Sequence, residues 1–194
     1  MKITPILTQL REQCPTLANR VFAALDLAAL QTGAAVPVPC AYVLPTTDVA
    51  SPNTAQNVTL QTVRDGFDVV LVLEASDVAT ALDGQHDLRA ELWRALVGFK
   101  PGADYTGIEY DGSEPISPIG GHALFRLRFF AQFQLGRNLT SQLAESWHER
   151  ELDGLSSFTG ATVRVDAIDP ADPNLKRPGP DGRLELTFSG DVTP

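Results

Sequence analysis

Two stretches decide the fold: LRAELWRALVGFKP at residues 88–101 and HALFRLRFFAQF at residues 122–133. In the first, Leu88, Leu92, Leu96 and Phe99 recur near the helical period and lay one apolar stripe along a helix. Arg89, Glu91 and Arg94 fall largely off that stripe. Gly98, Pro101 and Gly102 supply the stop, because glycine admits the left-handed turn past a helix end and proline cannot continue it. A helix ending near Val97 and covering a sheet is predicted. In the second stretch, Phe125, Leu127, Phe129, Ala131, Phe133 and Leu135 alternate with Arg126, Arg128, Phe130, Gln132 and Gln134. This is the period-2 pattern of a strand with one face in a core. The other face carries Arg126, Arg128 and Phe130, a composition that suits a solvated sheet and a subunit interface equally.

Working outward, Thr4-Pro5 opens the chain as a helix start, and Ile3, Ile6, Leu7 and Leu10 predict a helix over about Pro5 to Gln13. Leu17, Val21, Leu25 and Ala28 predict a second helical stripe from Pro15 that ends before Gly33, either as a separate helix or as one broken helix with the first. Cys40 to Leu44, bounded by prolines, reads as a short strand, and Pro45 to Asn57 as a polar, mobile loop. Val58 to Val63 and Phe67 to Leu73 are strand material on either side of Arg64-Asp65-Gly66. They form a hairpin or one long strand with a glycine bulge, and a long, bent strand or bulged ladder is the favoured reading. Asp77 to Gln85 reads as a connection into the helix of residues 88–97. Pro101 to Gly121 reads as a glycine- and proline-rich passage around a short strand, Tyr105 to Tyr110. Ser141 to Arg150 is a helical turn containing Trp147. Strands follow at Ala161, Val163, Val165 and Ala167, and at Leu184, Leu186 and Phe188. The proline-rich DPADPNLKRPGPDGR between them reads as a long projecting connector. The expected architecture is α/β in the α+β sense: helices packed on a largely antiparallel sheet, in one domain over residues 1–194, with projecting loops at about 45–57 and 169–183.

The chain has 194 residues, 43% hydrophobic and 20% charged, enough for a domain with its own core. Its formal net charge of -9 argues against gripping nucleic acid through phosphates, which needs a concentrated basic surface. Cys14 and Cys40 lack metal or redox spacing, the N-terminus has no long apolar signal region, and no run approaches a bilayer span. A soluble, intracellular protein with free thiols is expected. The triplets at Asn57 and Asn138 match the glycosylation pattern but carry almost no weight in such a chain.

Chemistry is hard to find. His86, His122 and His148 sit in polar settings at no metal-binding spacing, and the nucleophile-elbow, phosphate-loop and dinucleotide patterns are all missing. Asp166, Asp169, Asp172 and Asp181 could in principle collect a hard cation. They lack the order of a calcium loop, however, and prolines after Asp169 and Asp172 make those residues ordinary turn starters. Trp93 and Trp147 read as core or cap aromatics. No catalytic residue, cofactor or metal is therefore assigned.

The order of elements, with LVGFKP at 96–101, IEYDG at 108–112, ALFRLRFFAQF at 123–133 and PGPDGR at 178–183, resembles the tail terminator (tail completion) proteins of long-tailed bacteriophages. The likeness is to the Mu-like branch in particular and covers most of the chain. The loop of residues 45–57 matches no shared pattern. The resemblance implies a non-enzymatic virion protein that forms a hexameric ring on the head-proximal end of the tail tube. Such a ring stops tube polymerisation and presents the head-tail joining surface. Its partners would be further copies of itself, the tail tube protein and a head-completion or neck protein. Assembly would take place in the host cytoplasm, without membrane contact, and DNA would pass through the lumen without specific binding. An acidic balance suits a lumen along which DNA slides. A head-to-tail ring needs two different complementary faces on each subunit. Candidate interface residues are Arg126, Arg128 and Phe130 on the strand and Asp169, Asp172, Lys176, Arg177 and Asp181 on the connector. Alternatives are another minor tail or neck protein, or a small enzyme or ligand-binding domain with an unrecognised pocket.

Overall fold

Alternation along three long strands builds one sheet and sorts its residues onto two unlike faces. The computed structural model describes residues 1–26, 37–56, 58–119, 121–136, 143–156, 160–165 and 186–191. The chain divides into two compact units, Met1–Arg150 and Glu151–Pro194. In the first unit the elements are helix α1 (Ile3–Gln13), strands β1 (Val21–Ala23), β2 (Cys40–Pro45), β3 (Val49–Ala50) and β4 (Gln61–Glu74), helix α2 (Val78–Leu96), and strands β5 (Glu109–Ile119) and β6 (His122–Leu135). A short helix α3 (Trp147–Asp153) runs across the division. The second unit carries strands β7 (Gly160–Val165) and β8 (Leu186–Asp191), an antiparallel pair.

Among the described residues the main sheet has the order β1-β2-β4-β6-β5, with β3 also on β4. Only β1 and β2 run parallel. The expected α+β fold with a largely antiparallel sheet is what forms. Because β4 and β6 pair without a break from Gln61↔Leu135 to Glu74↔His122, side-chain parity is kept along the whole ladder. Phe67, Val69, Leu71, Leu127, Phe129 and Ala131 therefore share one face, buried under Ile6 and Leu10 of α1 and Leu88, Leu92 and Leu96 of α2. Phe67 and Phe129 stack there with ring centroids 5.5 Å apart. Each such fully buried side chain contributes about 1.5–3 kcal/mol relative to exposure.

Several sequence expectations are corrected. The segment Asp77–Gln85 is not a connection, since α2 begins at Val78. Asp77 caps it by accepting from Ala79 N at 3.3 Å and Thr80 N at 3.1 Å, the role for which a short carboxylate is suited. The second helical stripe is instead a 3₁₀ turn, Pro15–Leu17, followed by β1. Ala18 and Asn19 take left-handed conformations, φ 44° and 64°, that end any helix there and turn the β-branched Val21 into a strand. The remainder of that stripe, over residues 27–36, lies outside the described residues.

The two strand pieces around Gly66 are one strand, as favoured, but without a bulge, and residues 58–60 precede it. Gly66 is needed for a different reason: a Cβ there would come 2.5 Å from Thr46 Oγ1. The short strand expected at Tyr105–Tyr110 lies later, at Glu109–Ile119, and Tyr105 makes only an isolated bridge to Phe133. Pro115 and Pro118 are tolerated in β5 because it is an edge strand with register shifts. The loop of residues 45–57 contains β3 and is tied by Asn53, whose amide donates to Val58 O at 3.1 Å and accepts from Leu60 N at 2.8 Å.

The helical turn around Trp147 extends to Asp153 and starts with a capping box. Glu149 N donates to Ser146 Oγ at 3.4 Å, while Glu149 Oε2 accepts from Ser146 N at 3.2 Å and Glu145 N at 2.8 Å. The helix stop after α2 follows expectation: Val97 is the C-cap and Gly98 has φ +87°. Gly107 then passes so close that a Cβ on it would lie 3.0 Å from the Gly98 backbone.

Candidate subunit and tube interface

The face of the sheet opposite the helices is divided. At the β2 side, Cys40, Leu44, Val70, Val72 and Leu124 form a second, smaller apolar cluster. Toward the β5 edge the same face becomes charged. Arg126 and Arg128 point to it from β6, Arg64 and Asp68 from β4, and Glu114 from β5, as the register requires.

Arg128 lies opposite Asp68 on one side and Gly112 on the other, and Arg126 lies opposite Glu114. The side chains join these strands. Arg126 Nη1 donates to Glu114 Oε1 at 3.1 Å, and Arg128 Nη2 is 2.6 Å from the same oxygen. Arg126 Nε approaches Asp68 Oδ2 at 3.3 Å. A third arginine, Arg64, pairs with Asp111 at 2.6 Å and lays its guanidinium 3.7 Å from the centroid of Phe130. Thus three arginines meet three carboxylates and one aromatic ring. A hollow of about 250 Å³ lies among Thr46, Val49, Arg64, Asp111, Arg128 and Phe130.

The electrostatics follow from depth. Burial pushes the Asp68 carboxyl above its ordinary value, and Arg126 and Arg128 partly counter that. Glu114, half-buried, is held below the usual carboxylate range chiefly by its hydrogen bond from Arg128. Arg128 is raised in turn by Glu114. This set of three cations and three anions is neutral overall, so the face presents aligned donors, acceptors and a stacked ring rather than a positive patch. Planar guanidinium–aromatic stacking fixes two side chains before any partner arrives, which lowers the ordering cost of binding.

The structure thus brings together Arg126, Arg128 and Phe130. Asp169, Asp172, Lys176, Arg177 and Asp181, together with the connector that carries them, lie outside the described residues. The partners Arg64, Asp68, Asp111 and Glu114 were not singled out from the sequence. For Arg64 and Asp68 a signal exists, since both share parity with Gly66 in a strand that pairs with the arginine strand. For Asp111 and Glu114 the surrounding glycines and prolines concealed the strand.

Other possible chemistry has little support. Among the described residues no cluster of three His, Cys, Asp or Glu is placed to hold a metal, and no helix is long and apolar enough to cross a membrane. Cys14 and Cys40 are buried free thiols, and burial raises the Cys14 thiol to about 12. A thiol so raised is a poor nucleophile.

The described residues thus form a helix-backed, largely antiparallel sheet with a neutral ion-pair lattice on its other face. The chain belongs to the phage tail terminator protein family, whose sequence model matches residues 1–141, and is a structural protein of the phage tail and so of the virion. No curated protein matches it. Among solved structures it is similar to a chain from the virion of a native gene transfer agent (GTA) particle. That match has 17% identity and a TM-score of 0.43, covering 66% of this chain and 91% of that one.

Proposed function

We propose that this protein forms a ring, of six copies in the form the family resemblance implies, on the head-proximal end of the tail tube. There it ends tube polymerisation and offers the surface to which the head or its neck proteins join. The carrying observation is the family match over residues 1–141, which includes both helices of the core and the whole main sheet. The role needs no catalytic residue, cofactor or metal, and we read the protein as a non-enzyme. Arg126, Arg128 and Phe130 belong to a subunit or tube contact in this reading. In the same reading the connector residues Asp169, Asp172, Lys176, Arg177 and Asp181 complete it, and PGPDGR at 178–183 supports the Mu-like branch. The net charge of -9 suits a lumen through which DNA passes without being held.

The test is electron microscopy of tails assembled without the protein. Overlong tubes are expected. Tails of normal length that fail to join heads would instead make it a neck component.

A further inference from the structure

A strand at the edge of a sheet carries a row of backbone donors and acceptors that invite another strand, and folded chains blunt it with proline, a bulge or a covering group. Both edges of the main sheet are blunted. On β1, Val21 N donates to Asn19 O at 2.9 Å, and Val21 O accepts from Arg11 Nε at 3.1 Å and Nη2 at 2.6 Å. The bonds to β2 run through Arg20 O and Ala24 N, so the groups of Val21 are the ones that face outward, and they are already bonded. On β5, Pro115 and Pro118 withhold N–H groups, and the register shifts twice.

The pair β7 and β8 is different. Among the described residues it is a sheet of two strands, whose register runs unbroken from Gly160↔Asp191 to Val165↔Leu186. Neither GATVRV nor LTFSGD contains a proline or a lysine. Parity places Ala161, Val163, Phe188 and Gly190 on one face. Val163 is 55% exposed and Phe188 58%, and a Cβ added at Gly190 would meet nothing within 4 Å. A two-stranded ribbon with an open apolar face is marginal in water by itself and gains stability from further strands.

We propose that β8 of one copy pairs with β7 of the next, so that the hairpins of neighbouring copies join into one continuous circle of strands. Two observations select a second copy as the occupant. A strand from a different protein would use one edge and leave the other open, whereas serial pairing of identical hairpins uses both edges, and closure of the ring leaves none. The charges agree: within these strands β7 carries only Arg164 and β8 only Asp191. The unlike edges therefore bring opposite charges together, while β7 on β7 or β8 on β8 repeats one sign. Inside one hairpin the register sets Arg164 opposite Thr187 and Asp191 opposite Gly160, at the two ends of the ladder. A staggered joint between copies brings them together. The hairpin lies beyond residues 1–141, the part that the family model matches, so this contact adds to those of the shared core. The inference rests on the ring reading and names one joint within it.

The test is complementation between full-length Arg164→Asp and Asp191→Arg chains, with assembly on isolated tail tubes read by electron microscopy. Alone, each variant sets like charges at every joint and should keep the wild-type melting temperature yet lose ring assembly. In an equimolar mixture, alternating copies restore an opposite pair at every joint of an even-numbered ring, and assembly should return. A pair formed inside one chain is not rescued by mixing. Should either variant melt early, full-length Val163→Cys and Phe188→Cys chains decide: oxidised together they should give a covalent dimer that neither gives alone. If wild-type chains form rings but the single charge variants do so equally well, or the mixture is not rescued, this joint is wrong and the ring reading stands. If the wild-type chain forms no ring, the ring reading fails and takes this joint with it.

Discussion

Arg128 passes over its register neighbour Gly112 to pair with Glu114 at 2.6 Å, and the same carboxylate oxygen takes Arg126 at 3.1 Å. One half-buried glutamate on an edge strand thus organises two arginines of the adjacent strand. Gly112, at φ +119°, sits where the register shifts and bends β5 there.

Charge reversal tests the face as an interface. Arg128→Glu, at the more exposed of the two arginines, should leave a folded chain and disrupt the ring. The Arg126→Glu/Arg128→Glu pair should disrupt it further, as it sets new carboxylates against Asp68 and Glu114. Light scattering reads the assembly and circular dichroism the fold. Normal ring formation by either variant would remove these residues from the contact.

Acid titration separates the two carboxylates. Glu114 is held below its ordinary value, so its contribution to stability is present above the unfolded pKa, about 4.3, and is lost as pH falls through the lowered folded value. Glu114→Gln should therefore melt earlier than wild type at neutral pH, with the gap closing in acid. Asp68 is raised by burial and has the opposite sign: its ionisation opposes folding at neutral pH, and the penalty fades as pH falls through its raised value. Thermal melts of Asp68→Asn and Glu114→Gln from pH 7 to pH 3 should diverge in slope.

Gly136 and Gly98 both have positive φ, +109° and +87°, but differ in surroundings. A Cβ at Gly136 would come 2.0 Å from Thr59 O, whereas one at Gly98 meets nothing within 4 Å. Gly98→Ala should cost about 1–2 kcal/mol from backbone conformation alone. Gly136→Ala should cost clearly more, because backbone must also move. Urea denaturation of the two variants measures the difference.

How much of this was legible depended on whether local pattern and tertiary context agreed. They agreed for Leu88–Val97 and for the alternation of Phe125–Leu135, where a buried face fixes the period. They disagreed after Pro15: Leu17, Val21 and Leu25 mimic helical spacing, yet Leu17 and Val21 are buried on separate elements and Leu25 is 87% exposed. The strand Glu109–Ile119 was hidden by Gly112, Pro115 and Pro118, residues that only an edge position accommodates. On the face opposite the helices, Arg126, Arg128 and Phe130 could be read from one strand. Their partners come from β4 and β5, so the lattice existed only once the register was known.

The capping box at Ser146-Trp147-His148-Glu149 is legible in the sequence as a serine followed three residues later by a glutamate. Glu149→Ala removes the acceptor for Glu145 N and Ser146 N and should cost about 1–3 kcal/mol. Faster amide hydrogen exchange at those two residues would be its signature, and unchanged exchange would contradict the assignment.

As proposed, the chain closes the tail tube as a ring. The most direct measurement is the mass of the purified protein by light scattering, alone and after mixing with isolated tail tubes whose ends are viewed by electron microscopy. The account predicts a ring, free in solution or seated at one tube end. A persistent monomer with no affinity for tube ends would contradict it.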